Sequence, residues 1–281
     1  MTILAGRNVL VTGSASGIGR LIASRIAALG GRMILWDVDQ QRLNTFVAQL
    51  QDRQLTAAAY CCDLVDRNAI RATATRVLDE CGPVDVLINN AGVVTGKPLL
   101  ATTDEEILRT FNVNTLALFW TVRAFLPAML ERGSGHIVNI ASTAGLVGVP
   151  RLAAYAASKF AVVGFDESLR MELKKQGAPV ATTLVCPYYI DTGMFAGVRT
   201  RFPWLLPILE PEYVAERVVD SIRRERRRLI MPRFALTALP LRLLPPVLFD
   251  FIMRFLGVAA SMDEFTGKSD AETNGAGVQH R

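Results

Sequence analysis

NVLVTGSASGIGRLIASRIAALG, residues 8–30, is the stretch whose reading decides the fold. Its first six residues form a short apolar run ending on glycine, which fits a buried strand. Ile18, Leu21, Ile22, Ile26 and Leu29 then recur at helical spacing, and Gly30 supplies a stop. Between strand and helix lies TGSASGIG (12–19). Gly13, Gly17 and Gly19 let the main chain turn tightly and approach a diphosphate, with Ser14, Ser16 and Ile18 in the same turn. The helix that follows presents its first N–H groups and its positive dipole end to such an anion. A glycine-rich turn alone is a weak signal. Its position after a strand and before a helix strengthens it.

The next strand-like run, RMILWD (32–37), ends on Asp37, eighteen residues beyond Gly19. In a dinucleotide-binding unit an acid about twenty residues on binds the ribose 2′-hydroxyl and repels a 2′-phosphate. Neither Ser14–Ser16 nor Trp36–Val38 carries a cation to receive that phosphate, which favours NAD over NADP. Arg20 is the one nearby cation that speaks for NADP.

Working outward, helix-like and strand-like stretches alternate. QQRLNTFVAQL (40–50) reads as a helix, 56–64 as a weaker strand, and 67–81 as a helix. VDVLINNAG (84–92) is a strand with a polar tail. Residues 104–132 form a long helix in which Pro127 marks a kink or boundary. Strands over 135–142 and 180–187 flank a helix over 152–176. Repeated β-α units with apolar strands predict an α/β fold, a single doubly wound Rossmann-type domain with a mostly parallel sheet covered on both faces. The expected organisation is a catalytic domain over 1–230, an apolar C-terminal extension over 231–265, and a disordered tail over 266–281.

Composition excludes several classes. Cys61, Cys62, Cys81 and Cys186 have no ligand spacing, and His136 and His280 are the only histidines, so neither a metal site nor a Ser-His-Asp triad is expected. The net charge of +5 is small, and its densest cluster, RRERRR (223–228), has no interleaved aromatics for base stacking, which argues against nucleic acid. MTILAGRNVLVTG enters a strand at once, leaving no room for a signal peptide or N-terminal anchor, so a cytoplasmic location is expected. Hydrophobic residues make up 51% of the chain, and the excess lies near the C-terminus.

YAASKF (155–160) places Tyr155 and Lys159 four residues apart, on one helical face. A phenol beside an ammonium loses its proton more readily than a free tyrosine, whose pKa is about 10. An ordinary helix with one core aromatic and one exposed lysine has the same pattern. The wider set of motifs separates the two readings. TGSASGIG, CDL (62–64), NNAG (89–92), NVN (112–114), Ser142 after the fifth strand and YAASK occur in the order found in the short-chain dehydrogenase/reductase family, which the chain resembles over residues 8 to 192.

That resemblance implies roles. Tyr155 would transfer the hydroxyl proton while a hydride moves between carbinol carbon and nicotinamide. Lys159 would favour the phenolate and bind the ribose. Ser142 would donate to the substrate oxygen, and Asn114 would kink its helix and hold a relay water. Asp63 would meet the adenine, Asn90 and Gly92 the ribose and nicotinamide side, and Thr192 the carboxamide, with Leu64, Ala91, Pro187 and Ile190 completing the cofactor set. The family's usual proline-glycine after the sixth strand is here Pro187-Tyr188, so a side chain reshapes the nicotinamide end. The resemblance also implies a homodimer or homotetramer through the helices of 104–132 and 152–176.

The segments after Ser142 (TAGLVGVP) and Thr192 (GMFAGVRTRFPWLLPILEP) are apolar, and Leu146, Val147, Tyr188, Met194 and Phe195 are expected to line a pocket with Ser142 and Tyr155. Such a wall suits a hydrophobic alcohol or ketone. Longer stretches, among them FNVNTLALFWTVRAFLPAMLE and SKFAVVGFDESLRMEL, resemble the retinol and 17-beta-hydroxysteroid dehydrogenase subgroup. The expected activity is NAD-dependent oxidation of a retinol-type alcohol. The alternatives are a steroid or other lipid ketone/alcohol oxidoreductase, or an idle NAD-binding lipid-surface protein. FALTALPLRLLPPVLFDFIMRFLGVAA (234–260) is broken by prolines and charges, unlike a spanning helix. It reads either as a membrane-surface segment, with arginines against anionic lipid, or as a lid over the pocket or partner subunit.

Overall fold

The computed structural model of the protein describes residues 1–267. Strands β1 (Asn8–Thr12), β2 (Arg32–Asp37), β3 (Ala57–Cys61), β4 (Val86–Asn89), β5 (Gly135–Ile140), β6 (Val180–Pro187) and β7 (Arg228–Met231) form one sheet in the order β3-β2-β1-β4-β5-β6-β7. Every pairing in it is parallel. The crossings are made by helices α1 (Gly17–Ala28), α2 (Gln40–Gln51), α3 (Arg67–Cys81), α4 (Asp104–Phe111) with α5 (Ala117–Arg132), α6 (Ala153–Lys175) and α7 (Pro211–Arg223).

Alternation along β1 explains why its three central residues, Val9, Leu10 and Val11, are all apolar. Val9 and Val11 pack with Ile22, Ile26 and Leu43 of α1 and α2 and with Val218 of α7. Leu10, pointing the other way, packs with Ile70 and Val77 of α3 and Phe125 of α5. Both faces are covered, so neither needs a polar residue. The strand order reverses between β1 and β4, and the loops at the carboxyl ends of these strands frame the crevice where an open α/β sheet takes its ligand.

Two expectations change along the long helix. Pro127 does not end it; it lies inside α5. The interruption falls at Asn112–Leu116, one wider π-helical turn joining α4 to α5. There the Asn114 side chain accepts from Val93 N at 2.8 Å and donates to Val93 O and Ser158 Oγ, both at 3.0 Å. Asp104–Arg132 is also the helix among the described residues that is long and apolar enough to cross a membrane, but half of its apolar window is buried in the domain.

Behind the sheet ends runs a buried polar chain. Thr121 Oγ1 donates to Asn89 Oδ1 at 2.7 Å, Asn89 Nδ2 to Asn139 Oδ1 at 3.0 Å, and Asn139 Nδ2 to Asp166 Oδ1 at 2.9 Å. It ties β4 and β5 to α6.

The sequence reading stops at six strands, and α7 and β7 extend the sheet by one. β7 ends at Met231, so the expected boundary at 230 cuts its last pairing, Pro187 with Met231. Beyond it come α8 (Ala238–Leu241) and α9 (Pro246–Phe255). The chain then returns, and Thr266 N and Gly267 N donate to Ala196 O at 3.0 and 3.3 Å. These two residues are thus held in place, against the expectation of disorder; the rest of that tail, 268–281, lies outside the described residues.

Candidate active site

The glycine turn is built by close approach. Gly13 has φ +63, and a Cβ there would come within 2.8 Å of Ala91 Cα. A Cβ on Gly19 would overlap Gly13 O and the Asn90 amide. Only glycine allows β1's turn and the end of β4 to lie this close. Polar ties fix the contact: Asn90 Nδ2 donates to Thr12 O and Gly13 O at 3.0 and 3.1 Å, and Thr12 Oγ1 accepts from Asn90 N and Ala91 N. Ser16, Gly17 and Ile18 border the resulting cradle, where the first turn of α1 begins.

This cradle is one end of a cavity of about 740 Å³ along the carboxyl edge of the sheet. Its volume is that of a site for a sizeable organic ligand. At the same end Asp37 closes β2. Its Oδ2 accepts from Ala15 N at 2.9 Å and its Oδ1 from Asp39 N at 3.1 Å, so the carboxylate is held facing the turn. Arg20 does not oppose it: the guanidinium stacks 4.9 Å from the Phe46 ring and donates to Gln49 on α2. Asp63 and Leu64 line the cavity beside Asp37, and Asn90, Ala91 and Gly92 continue its floor.

At the centre sit Ser142, Tyr155 and Lys159. Tyr155 is 6% exposed and Lys159 3%. α6 carries both, and the small residues Ala156 and Ser158 between them are buried too, so that face lies low against its neighbours. Ser142 Oγ accepts from Ala144 N at 3.1 Å, which turns the hydroxyl toward Tyr155 at the end of β5. Lys159 Nζ donates to Ile140 O at 2.9 Å and lies 5.7 Å from the centroid of the Tyr155 ring. Burial pushes the phenol of Tyr155 above its ordinary value, with the Ser142 hydroxyl pulling the other way and Tyr189 adding to the rise. Burial also lowers Lys159 to about 8. Desolvation dominates that rise; the sequence reading has the phenolate favoured by Lys159 together with oxidised nicotinamide, whose charge would act on the same phenol. Asn114 stands behind the cavity, its Oδ1 within 3.4 Å and Lys159 Nζ within 3.6 Å of where a Cβ on Gly92 would be.

The far end is apolar. Tyr188, Met194, Phe195 and Val147 line it; Pro187 and Ile190 border the same cavity, and Thr192 lies beside the cradle, 3.8 Å from where a Cβ on Gly17 would be. Tyr188 packs on Tyr189 with ring centroids 4.6 Å apart, and Phe195 packs edge-on to Tyr155 at 5.8 Å. Three expected residues are absent from the lining: Asn114, which stands behind it, Ser14 and Leu146. Ser14 is fully buried and turns its hydroxyl onto Trp36 O at 3.2 Å. Leu146 points into a core cluster with Leu118, Val162 and Leu184. Its neighbour Val147 takes the wall. Missed from sequence were Tyr189 and Leu206, and Phe234, Ala238, Met253 and Leu256 of the C-terminal segment. The tyrosine pair at 188–189 was the available signal for the first; contacts made by a segment so far along the chain have no local signal.

Among the described residues no group of acids, cysteines or histidines is placed to hold a metal ion. The arrangement instead pairs an anion cradle and a fixed carboxylate with a buried hydroxyl-phenol-ammonium set and an apolar chamber.

Comparison with known proteins agrees with this division. Residues 7–202 match the short chain dehydrogenase family. The chain is 44% identical over 280 residues to short-chain dehydrogenase/reductase family 16C member 6 of Bos taurus, covering 97% of this chain and 89% of that one. It is 43% identical over 270 residues to epidermal retinol dehydrogenase 2 of Mus musculus, covering 94% and 87%. A Burkholderia phymatum short chain dehydrogenase/reductase, solved in complex with NAD, superposes with a TM-score of 0.78 at 30% identity, covering 86% of this chain and 94% of that one. The chain belongs to the short-chain dehydrogenase family and is an oxidoreductase acting on CH–OH groups.

Proposed function

We propose that the protein oxidises a lipophilic alcohol of the retinol type with NAD, Tyr155 taking the hydroxyl proton. The observation that carries this reading is the position of Tyr155, buried midway along one cavity between the glycine cradle and the aromatic chamber. Likeness to a retinol dehydrogenase over most of the chain points the same way.

NAD fits the residues present: the cradle leaves main-chain N–H groups unshielded by any side chain, and Asp37 is oriented for a ribose diol. Bound there, the nicotinamide would supply the carbon that accepts the hydride. Ser142 would donate its hydroxyl to the substrate oxygen as charge develops on it. Tyr155, starting as the phenolate, would receive the proton from the same oxygen and end as the neutral phenol, so the C–H bond gives up its electron pair and the O–H bond its proton in one event. Lys159 would hold its ammonium beneath the ring and offset the charge of that phenolate before the proton arrives. Asn114 fixes Val93 and Ser158, and so the floor on which Lys159 rests. The chamber walls exclude water from the carbinol carbon.

The test is NADH formation from all-trans-retinol in mild detergent, with Tyr155→Phe as control. Turnover should fall about 10²–10⁴-fold in the variant with NAD binding retained, the range of proton-transfer catalysis. Unchanged turnover would remove Tyr155 from the reaction; no wild-type turnover with NAD bound would remove retinol.

Two surfaces belong to the same reading. Leu108, Phe119, Leu130 and Met171, on α4, α5 and α6, are exposed apolar residues on the helices expected to join subunits. A homodimer is the assembly they favour, and light scattering reads it. Val247, Phe251 and Phe255 of α9 are exposed beside Trp204, which is 80% exposed, with Phe202 packed between Phe255 and Trp204 and Arg201 stacked on Phe202 and Phe255. Aromatics flanked by arginine suit the surface of an anionic bilayer. Flotation with phosphatidylglycerol vesicles should be lost in Trp204→Ser/Phe251→Ser; retention would refute the lipid contact.

A further inference from the structure

Arg151 has a backbone conformation that arginine rarely adopts and a set of partners that no catalytic role requires. Its φ is +65, in the left-handed region disfavoured for a side chain with a Cβ. It sits two residues before α6 begins and four before Tyr155. From there the guanidinium reaches three main-chain carbonyls on two distant segments. Nε donates to Gly96 O at 3.1 Å, in the loop after β4. Nη1 donates to Met262 O and Asp263 O, both at 2.9 Å, in the chain returning from α9. A planar fork of donors holding several carbonyls is a geometry a lysine cannot reproduce.

What Arg151 holds is the layer packed behind a wall of the chamber. Met262 is fully buried in one cluster with Tyr155, Leu152 and Tyr189. Phe265 lies so close over Gly96 that a Cβ there would overlap its ring, and it also packs toward Phe195 at 6.5 Å. The returning chain is secured from the other side by Tyr189 OH with Ser261 Oγ at 2.9 Å, and by Thr266 N to Ala196 O at 3.0 Å. Gly197 is open only to hydrogen: a Cβ there would overlap Glu264 O. The segment 258–267 thus backs the chamber wall, lining the cavity itself at Val258 and supporting Tyr155, Tyr189 and Phe195 from behind, and Arg151 joins it to the start of the catalytic helix.

We infer that Arg151 is a positioning residue that latches the returning C-terminal chain over the chamber and thereby sets the preference for alcohols with a long apolar body. The inference rests on the reading that this chamber takes a lipophilic alcohol. A short alcohol meets this wall only at Tyr155, whereas a long one also bears on Tyr189 and Phe195, which Met262 and Phe265 support from behind. Loss of the latch should therefore raise KM for the long substrate and leave kcat nearly unchanged.

The experiment compares wild type, Arg151→Gly and Arg151→Lys in the full chain. Glycine removes the fork while suiting φ +65, so relief of the backbone strain offsets part of the three lost hydrogen bonds and the variant should still fold. Hydrogen–deuterium exchange of 258–267 should quicken in Arg151→Gly, with Arg151→Lys between. KM for all-trans-retinol should rise about tenfold, the scale of one lost charge-assisted contact, while 3-methyl-2-buten-1-ol, the same allylic alcohol without the polyene, is turned over as before. Gly197→Ala, which pushes on the same chain at Glu264, should reproduce both effects. Unchanged exchange in Arg151→Gly would overturn the latch. Faster exchange with unchanged KM ratios would overturn its part in specificity. If the wild type oxidises no retinol at all, the substrate reading fails on its own, and the exchange rates still decide whether Arg151 holds the chain.

Discussion

Asp166 is a carboxyl group that the fold holds at a cost, and removing its charge should stabilise the protein. It is 1% exposed on α6 and accepts from Asn139 at the end of the chain Thr121–Asn89–Asn139. Burial raises it from 3.8 to about 6, only partly opposed by the Asn139 hydrogen bond and by Arg170 and Arg228. Below pH 3.8 folded and unfolded chains both hold the proton, and the site contributes no difference. As pH rises to about 6 the unfolded chain ionises first, and the folded state loses stability relative to it. Above that the loss is complete, on the order of 3 kcal/mol. Asp166→Asn keeps an oxygen for Asn139 and carries no charge. Urea unfolding of both proteins from pH 4 to 8 gives the difference in stability at each pH, in which contributions from other groups cancel. That difference should grow in favour of the variant between pH 4 and 6 and level off, with a melting temperature roughly 6 °C higher at pH 7. A flat difference, or one that grows as pH falls, would refute the argument that desolvation governs this group.

Other perturbations address the site directly. Gly19→Ala forces a methyl into Gly13 O and the Asn90 amide, and overpacking of about 1–3 kcal/mol should lower thermal stability and weaken NAD binding tenfold or more by calorimetry. Asp37→Ser removes the carboxylate held by Ala15 N; the ratio of kcat/KM for NADP to that for NAD should rise about tenfold to a hundredfold, and an unchanged ratio would remove Asp37 from cofactor choice. Tyr188→Ala opens the nicotinamide end of the chamber, so kcat/KM for retinol should fall about tenfold while bulkier cyclic secondary alcohols gain. Loss for both classes alike would mean that Tyr188 supports the fold instead of shaping specificity.

The parts legible in the sequence are those with local rules. Strand, glycine turn and helix at 8–30, the acid at Asp37, and the face shared by Tyr155 and Lys159 all follow from spacing within one unit, and the structure brings them to one cavity. β7 was not legible because only Leu229, Ile230 and Met231 follow a run of arginines, too few residues for a periodic signal. Ser14 and Leu146 were misplaced because their directions depend on which of two adjacent residues the turn aims outward: Val147 instead of Leu146, and Ser16 instead of Ser14. The rise that burial imposes on Tyr155 was not legible, because a pattern of residues shows which charges are near but not how much water is missing. The contacts of Arg151 with Met262 and Asp263 join residues more than a hundred positions apart, and no short-range rule anticipates them.

The cavity's two ends come from separate stretches of chain. The cradle and Asp37 belong to the first ninety-odd residues, whereas Tyr188 through Val258 supply most of the chamber beyond Tyr155. Substrate range can therefore vary through the stretch from Met194 to Val258 while the cradle and Asp37 stay as they are, with Thr192, beside Gly17, as the point where the two ends meet.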